Sequence, residues 1–232
     1  MSVPFRFALI ATLVISLPVA AADDPFLSPG QVDLMRLLPP PPASGSPEMQ
    51  AELAEVLALQ ASRTPERVAQ AVRDQAESVF DMFAVTMGEA FAPERLPLAG
   101  HLFGRLGETE DVLATPAKTG FARARPFTGN PAVTPALYPS RSFSYPSGHA
   151  ARSTLSGIVL AAMVPEQRDA IFTRIRDYAE SRVIGGVHYR SDVLGGMRAG
   201  TAIAAVLFND PAFQAEYAPA RREVRAALGL VP

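Results

Sequence analysis

From Pro47 onward the apolar residues of this chain recur at spacings of three and four, and no segment sustains an alternation of period two. That pattern excludes half-buried strands and calls for helices that bury one face against their neighbours. The expected fold class is therefore all-α, a single-domain helical bundle. With 232 residues and 48% hydrophobic content, the chain can bury a core and needs no second domain. It has no cysteine, so packing rather than disulfides must hold it.

Punctuation residues give the element boundaries. Met49, Leu53, Val56 and Leu57 share a face, which opens a helix at Pro47. Thr64-Pro65-Glu66 reads as an N-cap with proline at the first helical position. A long helix is expected from there to about Phe91, with Val68, Val72, Val79, Phe83 and Met87 as its stripe. Residues 93–107 hold Pro93, Pro97, Gly100, Gly104 and Gly107 and predict a connector with at most a short helix. Helices are expected at 108–123, 148–163, 165–183, 188–208 and 211–228, with a long ordered loop from Pro126 to Pro146.

The N-terminal region reads differently. Residues 1–22 combine Arg6, an apolar run and Ala20-Ala21-Ala22, as a secretory signal peptide does. An uncleaved anchor is the alternative, but the run falls short of the ~18 to 20 apolar residues a bilayer span needs. Cleavage near Ala22 would deliver a periplasmic or secreted protein. Residues 23–48, with Pro39-Pro40-Pro41-Pro42, read as an extended proline-rich arm or a disordered leader, and residues 49–232 as the helical domain. The later apolar stretches predict no integral membrane domain, since Leu155–Val164 is short and Val193–Phe208 carries Arg198 at its middle.

Formal charge is −2, so no basic field argues for a nucleic-acid polymer, and no cysteine cluster argues for structural zinc. Of 21 basic residues only Lys118 is lysine, and only His101, His149 and His188 are histidine. Three constellations gather these rare residues. In Lys118-x6-Arg125-Pro126 the two cations lie two turns apart if helical, able to meet one anion, although a solvated basic face including Arg123 reads equally well. Pro146-Ser147-Gly148-His149 opens a helix whose first N–H groups lack partners, which suits an anion or simple capping by Ser147. In Ser181-Arg182-x5-His188-x3-Asp192 the carboxylate sits one helical turn from the imidazole and can fix its tautomer. Gly185-Gly186 would turn the chain so that Arg182 faces the same point. His101, alone in the predicted connector, reads as a surface or satisfied histidine.

In that order and spacing the three motifs resemble the signature of the type 2 phosphatidic acid phosphatase (PAP2) superfamily, which also includes vanadium haloperoxidases. The signal-like leader, the Leu37-Leu38-Pro39-Pro40 arm and Ser144-Tyr145-Pro146-Ser147-Gly148-His149 are most similar to the class A bacterial nonspecific acid phosphatases. The resemblance implies hydrolysis of small phosphate monoesters without metal or other cofactor. It implies His188 as nucleophile oriented by Asp192, and His149 as proton donor. Phosphate would be held by Lys118, Arg125, Ser147, Gly148 and Arg182. A homo-oligomer such as a dimer is usual for such proteins. A lipid phosphate phosphatase, a vanadium haloperoxidase and a non-catalytic anion-binding bundle are the competing readings.

Overall fold

Side-chain caps start most of the helices. Ser46, Thr64, Ser78, Ser147 and Asp210 each accept a backbone N–H from the turn they precede, and proline follows at 47, 65 and 211. The computed structural model describes residues 24–231; the expected export leader, residues 1–22, lies outside them. In chain order the helices are α1 (Leu34–Leu37), α2 (Pro47–Ser62), α3 (Pro65–Arg73), α4 (Val79–Met87), α5 (Pro97–Phe121), α6 (Gly148–Met163), α7 (Arg168–Ile184), α8 (Arg190–Leu207) and α9 (Pro211–Ala227). No strand occurs among the described residues. The fold is the expected all-α bundle.

α6 and α8 form the centre. A methyl placed on Gly196 would stand 2.3 Å from the Ser147 carbonyl, and one on Gly200 2.4 Å from the Ala151 carbonyl. The two backbones therefore touch directly, which only glycine permits here. Around them Leu102, Leu106 and Leu113 of α5, Leu155 and Leu160 of α6, Ile171 and Tyr178 of α7 and Phe213 and Val224 of α9 complete one core. Glu223 of α9 accepts the Leu98 and Ala99 N–H groups at 3.2 and 2.9 Å, and so satisfies the open start of α5. Among the described residues no single helix is long and apolar enough to cross a membrane; α8 and α9 reach that hydropathy only together, bent by 97°.

Several expectations are corrected. The long helix from Pro65 is two helices, α3 and α4. Asp74, 1% exposed, leaves helical register to bind Arg174 at 2.6 Å and Ser181 at 2.6 Å, and Ser78 caps a new helix. Val72 is accordingly exposed while Val79, Phe83 and Met87 are buried. The predicted connector at 93–107 is mostly helix, because α5 starts at Pro97 and runs 25 residues. Its glycines pack rather than punctuate: Gly107 lies against Arg152 and Gly100 against Phe80. The proline-rich arm is neither fully extended nor disordered, since it carries α1 and buries Phe26, Leu27, Val32, Leu34 and Leu38 in the core. The Tyr145 hydroxyl also donates to the Pro39 carbonyl at 2.6 Å.

Candidate active site

Lys118 and Arg125 do not share a helix face. α5 ends at Phe121 and Ala122 is left-handed at φ 49°, so Arg125 stands in the following loop. The two cations still approach the same place. Lys118 donates from Nζ to the Pro146 carbonyl at 2.5 Å, immediately before α6. Arg125 donates from Nη1 to the Val187 carbonyl at 2.9 Å and reaches His188 Nε2 at 3.1 Å. Ser142 holds the rest of that guanidinium, its carbonyl accepting from Nε and its hydroxyl from Nη2. Arg182, in the last turn of α7, is 4% exposed and donates to the Asp74 carbonyl at 3.4 Å. Gly186, at φ 72°, makes the turn that glycine was expected to make there.

Ser147 caps α6, its hydroxyl oxygen accepting the Ala150 N–H at 3.4 Å. Its backbone N–H donates to the Asp192 carbonyl at 3.0 Å, which joins the α6 start to α8. Gly148 and His149 occupy the first helical positions, where N–H groups have no intrahelical acceptor. Lys118 passes close by, since a methyl on Gly148 would lie 3.8 Å from its Cε. The helix start and the lysine thus face one point.

His188 lies just before α8 rather than on it, and its relation to Asp192 comes from helix capping. Asp192, in the first turn of α8, accepts the Tyr189 N–H through Oδ2 at 2.8 Å, and the same oxygen stands 3.4 Å from His188 Nδ1. Two residues missed by sequence reasoning complete this carboxylate. Ser144 donates to Oδ2 at 2.5 Å, and Arg123 donates to Oδ1 at 2.6 Å while pairing with Glu52 at 2.7 Å. Arg123 is therefore a buried partner of Asp192, not part of a solvated face. Ser144 stood in the second motif, but nothing local showed where its hydroxyl would point.

The hydrogen bonds define the tautomer. Arginine only donates, so the nitrogen facing Arg125 carries the lone pair and the proton belongs on Nδ1, toward Asp192. Burial holds the imidazole of His188 down to about 3, with the Arg125 charge adding to the effect. Burial thus favours the neutral ring, with its lone pair available. Burial likewise lowers Lys118 to about 8. His149, on the first turn of α6, is pushed down to about 2 by burial and by the Arg182 charge. Its Nδ1 stands 3.1 Å from Glu77 Oε1, and its ring stacks on Tyr178 with centroids 6.1 Å apart.

Among the described residues, Lys118, Arg125 and Arg182 make no ion pair with a carboxylate, although neighbouring Arg123, Arg152 and Arg174 all do. An unpaired buried charge costs on the order of several kcal/mol, so buried Arg125 and Arg182, with half-buried Lys118 near the same helix start, make a cluster suited to an anion. No group of three metal-ligating side chains converges among the described residues. His101 lies outside this site, half exposed, with Nε2 3.7 Å from Glu216.

A family model described as the PAP2 superfamily matches residues 109–215. A non-specific acid phosphatase from Salmonella typhi is 32% identical over 216 residues, covering 88% of this chain and 86% of its own. The chain belongs to the PAP2 superfamily. A second relative, a non-specific acid phosphatase from Providencia stuartii, is 33% identical over 83% of this chain and 81% of its own. Among solved structures, a transmembrane PAP2-type phosphatidylglycerolphosphate phosphatase from Bacillus subtilis is 23% identical. It superposes with a TM-score of 0.54 over 81% of this chain and 93% of its own, a likeness of fold.

Proposed function

We propose that this protein is an exported acid phosphatase that hydrolyses small phosphate monoesters through a phosphohistidine on His188, without a metal. The phosphoric monoester hydrolase class is that of its relatives. The observation that carries the chemistry is the set of three cations without carboxylate ion pairs, Arg125 and Arg182 buried and Lys118 half-buried, with Arg125 against the lone-pair nitrogen of His188. A phosphate monoester brings two charges and three non-bridging oxygens, which Lys118, Arg125 and Arg182 would neutralise. The Ser147 hydroxyl still has its proton to donate, and the free N–H groups at Gly148 and His149 complete the cradle.

A phosphate oxygen would take the Arg125 hydrogen bond and free Nε2 of His188. The lone pair forms the N–P bond as the P–O bond to the leaving group breaks, and His149 gives that oxygen its proton. Asp192 stabilises the positive charge that grows on the His188 ring. Water then attacks phosphorus, passes a proton to His149 and releases His188. Burial and then the charges of Arg182, His188 and Arg152 disfavour a proton on His149 in the protein alone, and a bound phosphate dianion would oppose those charges and so favour the acid form. The leader at residues 1–22 supports export. The test is His188→Ala against p-nitrophenyl phosphate with chelator present. Loss of turnover in the variant, with chelator-resistant turnover in the parent, is expected; wild-type activity in the variant removes the nucleophile.

A further inference from the structure

His188 has its carboxylate in Asp192, and His149 has one too. Its Nδ1 faces Glu77 Oε1 at 3.1 Å, and its Nε2 faces the Gln75 carbonyl at 3.4 Å. Both acceptors belong to the short break between α3 and α4, and that break is held from several sides. Asp74 is buried against Arg174 and Ser181, the Ala76 carbonyl accepts the Tyr178 hydroxyl at 2.8 Å, and Ser78 caps α4. Glu77 is gripped in turn: its second oxygen accepts from Arg152 Nη1 at 3.0 Å, three residues beyond His149 on α6. Arg152 is fixed by Asp111 at 2.6 Å, by the Gly107 carbonyl at 3.1 Å and by the buried Glu110 at 3.5 Å. None of this is needed to bind phosphate.

From this geometry we infer that Glu77 is a positioning residue for the proton-donor step, holding His149 through Nδ1 and stabilising its imidazolium as Asp192 stabilises that of His188. The inference rests on the reading of His149 as the donor. A carboxylate 3.1 Å from Nδ1 and a carbonyl 3.4 Å from Nε2 both favour the protonated ring, which has an N–H for each. The groups around the ring otherwise oppose that form: Arg182 and Tyr178 on α7, Arg152 on its own helix and His188 before α8 supply cations or neutral atoms, and Glu77 supplies the carboxylate in contact. In the reaction the Nε2 proton leaves the long bond to Gln75 for the ester oxygen as the P–O bond breaks. His149 is then neutral, with Nδ1–H still on Glu77.

A role confined to the proton donor has a signature that general damage lacks: it depends on the leaving group. Nitrophenolate departs with little protonation, whereas an alkoxide must be protonated as it leaves. Glu77→Gln should lower kcat/KM for glycerol phosphate about ten- to hundredfold and change that for p-nitrophenyl phosphate less than about threefold. Glu77→Asp, which keeps the charge, should recover much of the loss. His149→Ala should show the same leaving-group dependence, more strongly. Equal losses on both substrates in Glu77→Gln, or no loss on either, overturn the inference while leaving the donor reading intact if His149→Ala still discriminates. If His149→Ala affects both substrates equally, the donor reading fails first and the role of Glu77 falls with it.

Discussion

Gly196→Ala adds one methyl between α6, which carries His149, and α8, which His188 precedes, and its cost can be worked from the structure. The new carbon would stand 2.3 Å from the Ser147 carbonyl oxygen, 2.9 Å from the Ala150 methyl and 3.1 Å from the Ala151 nitrogen. Ordinary contact begins at 3.4 Å, so α6 and α8 must part by about 1 Å, and two of the three obstacles are backbone that no rotamer change can move. Overpacking of this kind costs about 1–3 kcal/mol, against a helix-propensity gain of about 1 kcal/mol for alanine over glycine. The net loss of stability is therefore modest. The activity loss is not, because the displaced atom belongs to Ser147, the cap of the proposed phosphate cradle, and a 1 Å misplacement costs roughly 100-fold in rate. Gly100→Ala is the matched control: its methyl would meet only Phe80, at 3.6 Å, and should stabilise slightly without touching activity. Thermal unfolding and kcat/KM on p-nitrophenyl phosphate read both variants. A Gly196→Ala protein with parental activity would refute the claim that α6–α8 contact sets the site geometry.

Asp192→Asn removes the charge that Arg123, Ser144, Tyr189 and His188 all face, so kcat should fall roughly 10²- to 10⁴-fold with little change in KM; a threefold loss would contradict its role. In pH–rate profiles corrected for substrate ionisation, activity should fall on the acid side as His188 protonates near 3 and on the alkaline side as Lys118 loses its proton near 8. Lys118→Arg should extend the alkaline side if it folds, and an unmoved limb assigns that limb elsewhere. Burial raises Glu110 to about 8, so the folded state keeps a proton that the unfolded chain has released. The stability this contributes is complete below about pH 4.5 and is lost as pH rises through 8. Glu110→Gln should flatten the decline in Tm over that interval, and an unchanged slope would sink the assignment.

Much of the site could be read in the sequence because its signals are local. Ser147 caps α6 and Ser46, Thr64 and Asp210 cap their helices, each visible within four residues. The spacing of His188 and Asp192 also survives, though for a different reason: the carboxylate reaches back as a helix-capping group rather than along a turn. What escaped depends on partners far away in the chain. The break at Asp74 exists because Arg174 and Ser181 bind that carboxylate from a hundred residues on, while the local apolar stripe argues for continuing the helix. The glycines of α5 looked like punctuation because the Arg152 and Phe80 side chains that fill the space beside them come from other helices. Arg123 looked like solvated charge for the same reason, since Glu52 and Asp192 lie about seventy residues to either side. Glu77 and Glu110 carry no motif; only the fold brings Glu77 to His149 and both carboxylates to Arg152.

The most direct test of the central claim is to trap the covalent intermediate. Enzyme mixed with ³²P-labelled phosphate monoester and quenched in alkali within milliseconds should carry acid-labile, alkali-stable label, and peptide mapping should place it on His188. Label on another residue, or steady turnover by His188→Ala, would contradict the account.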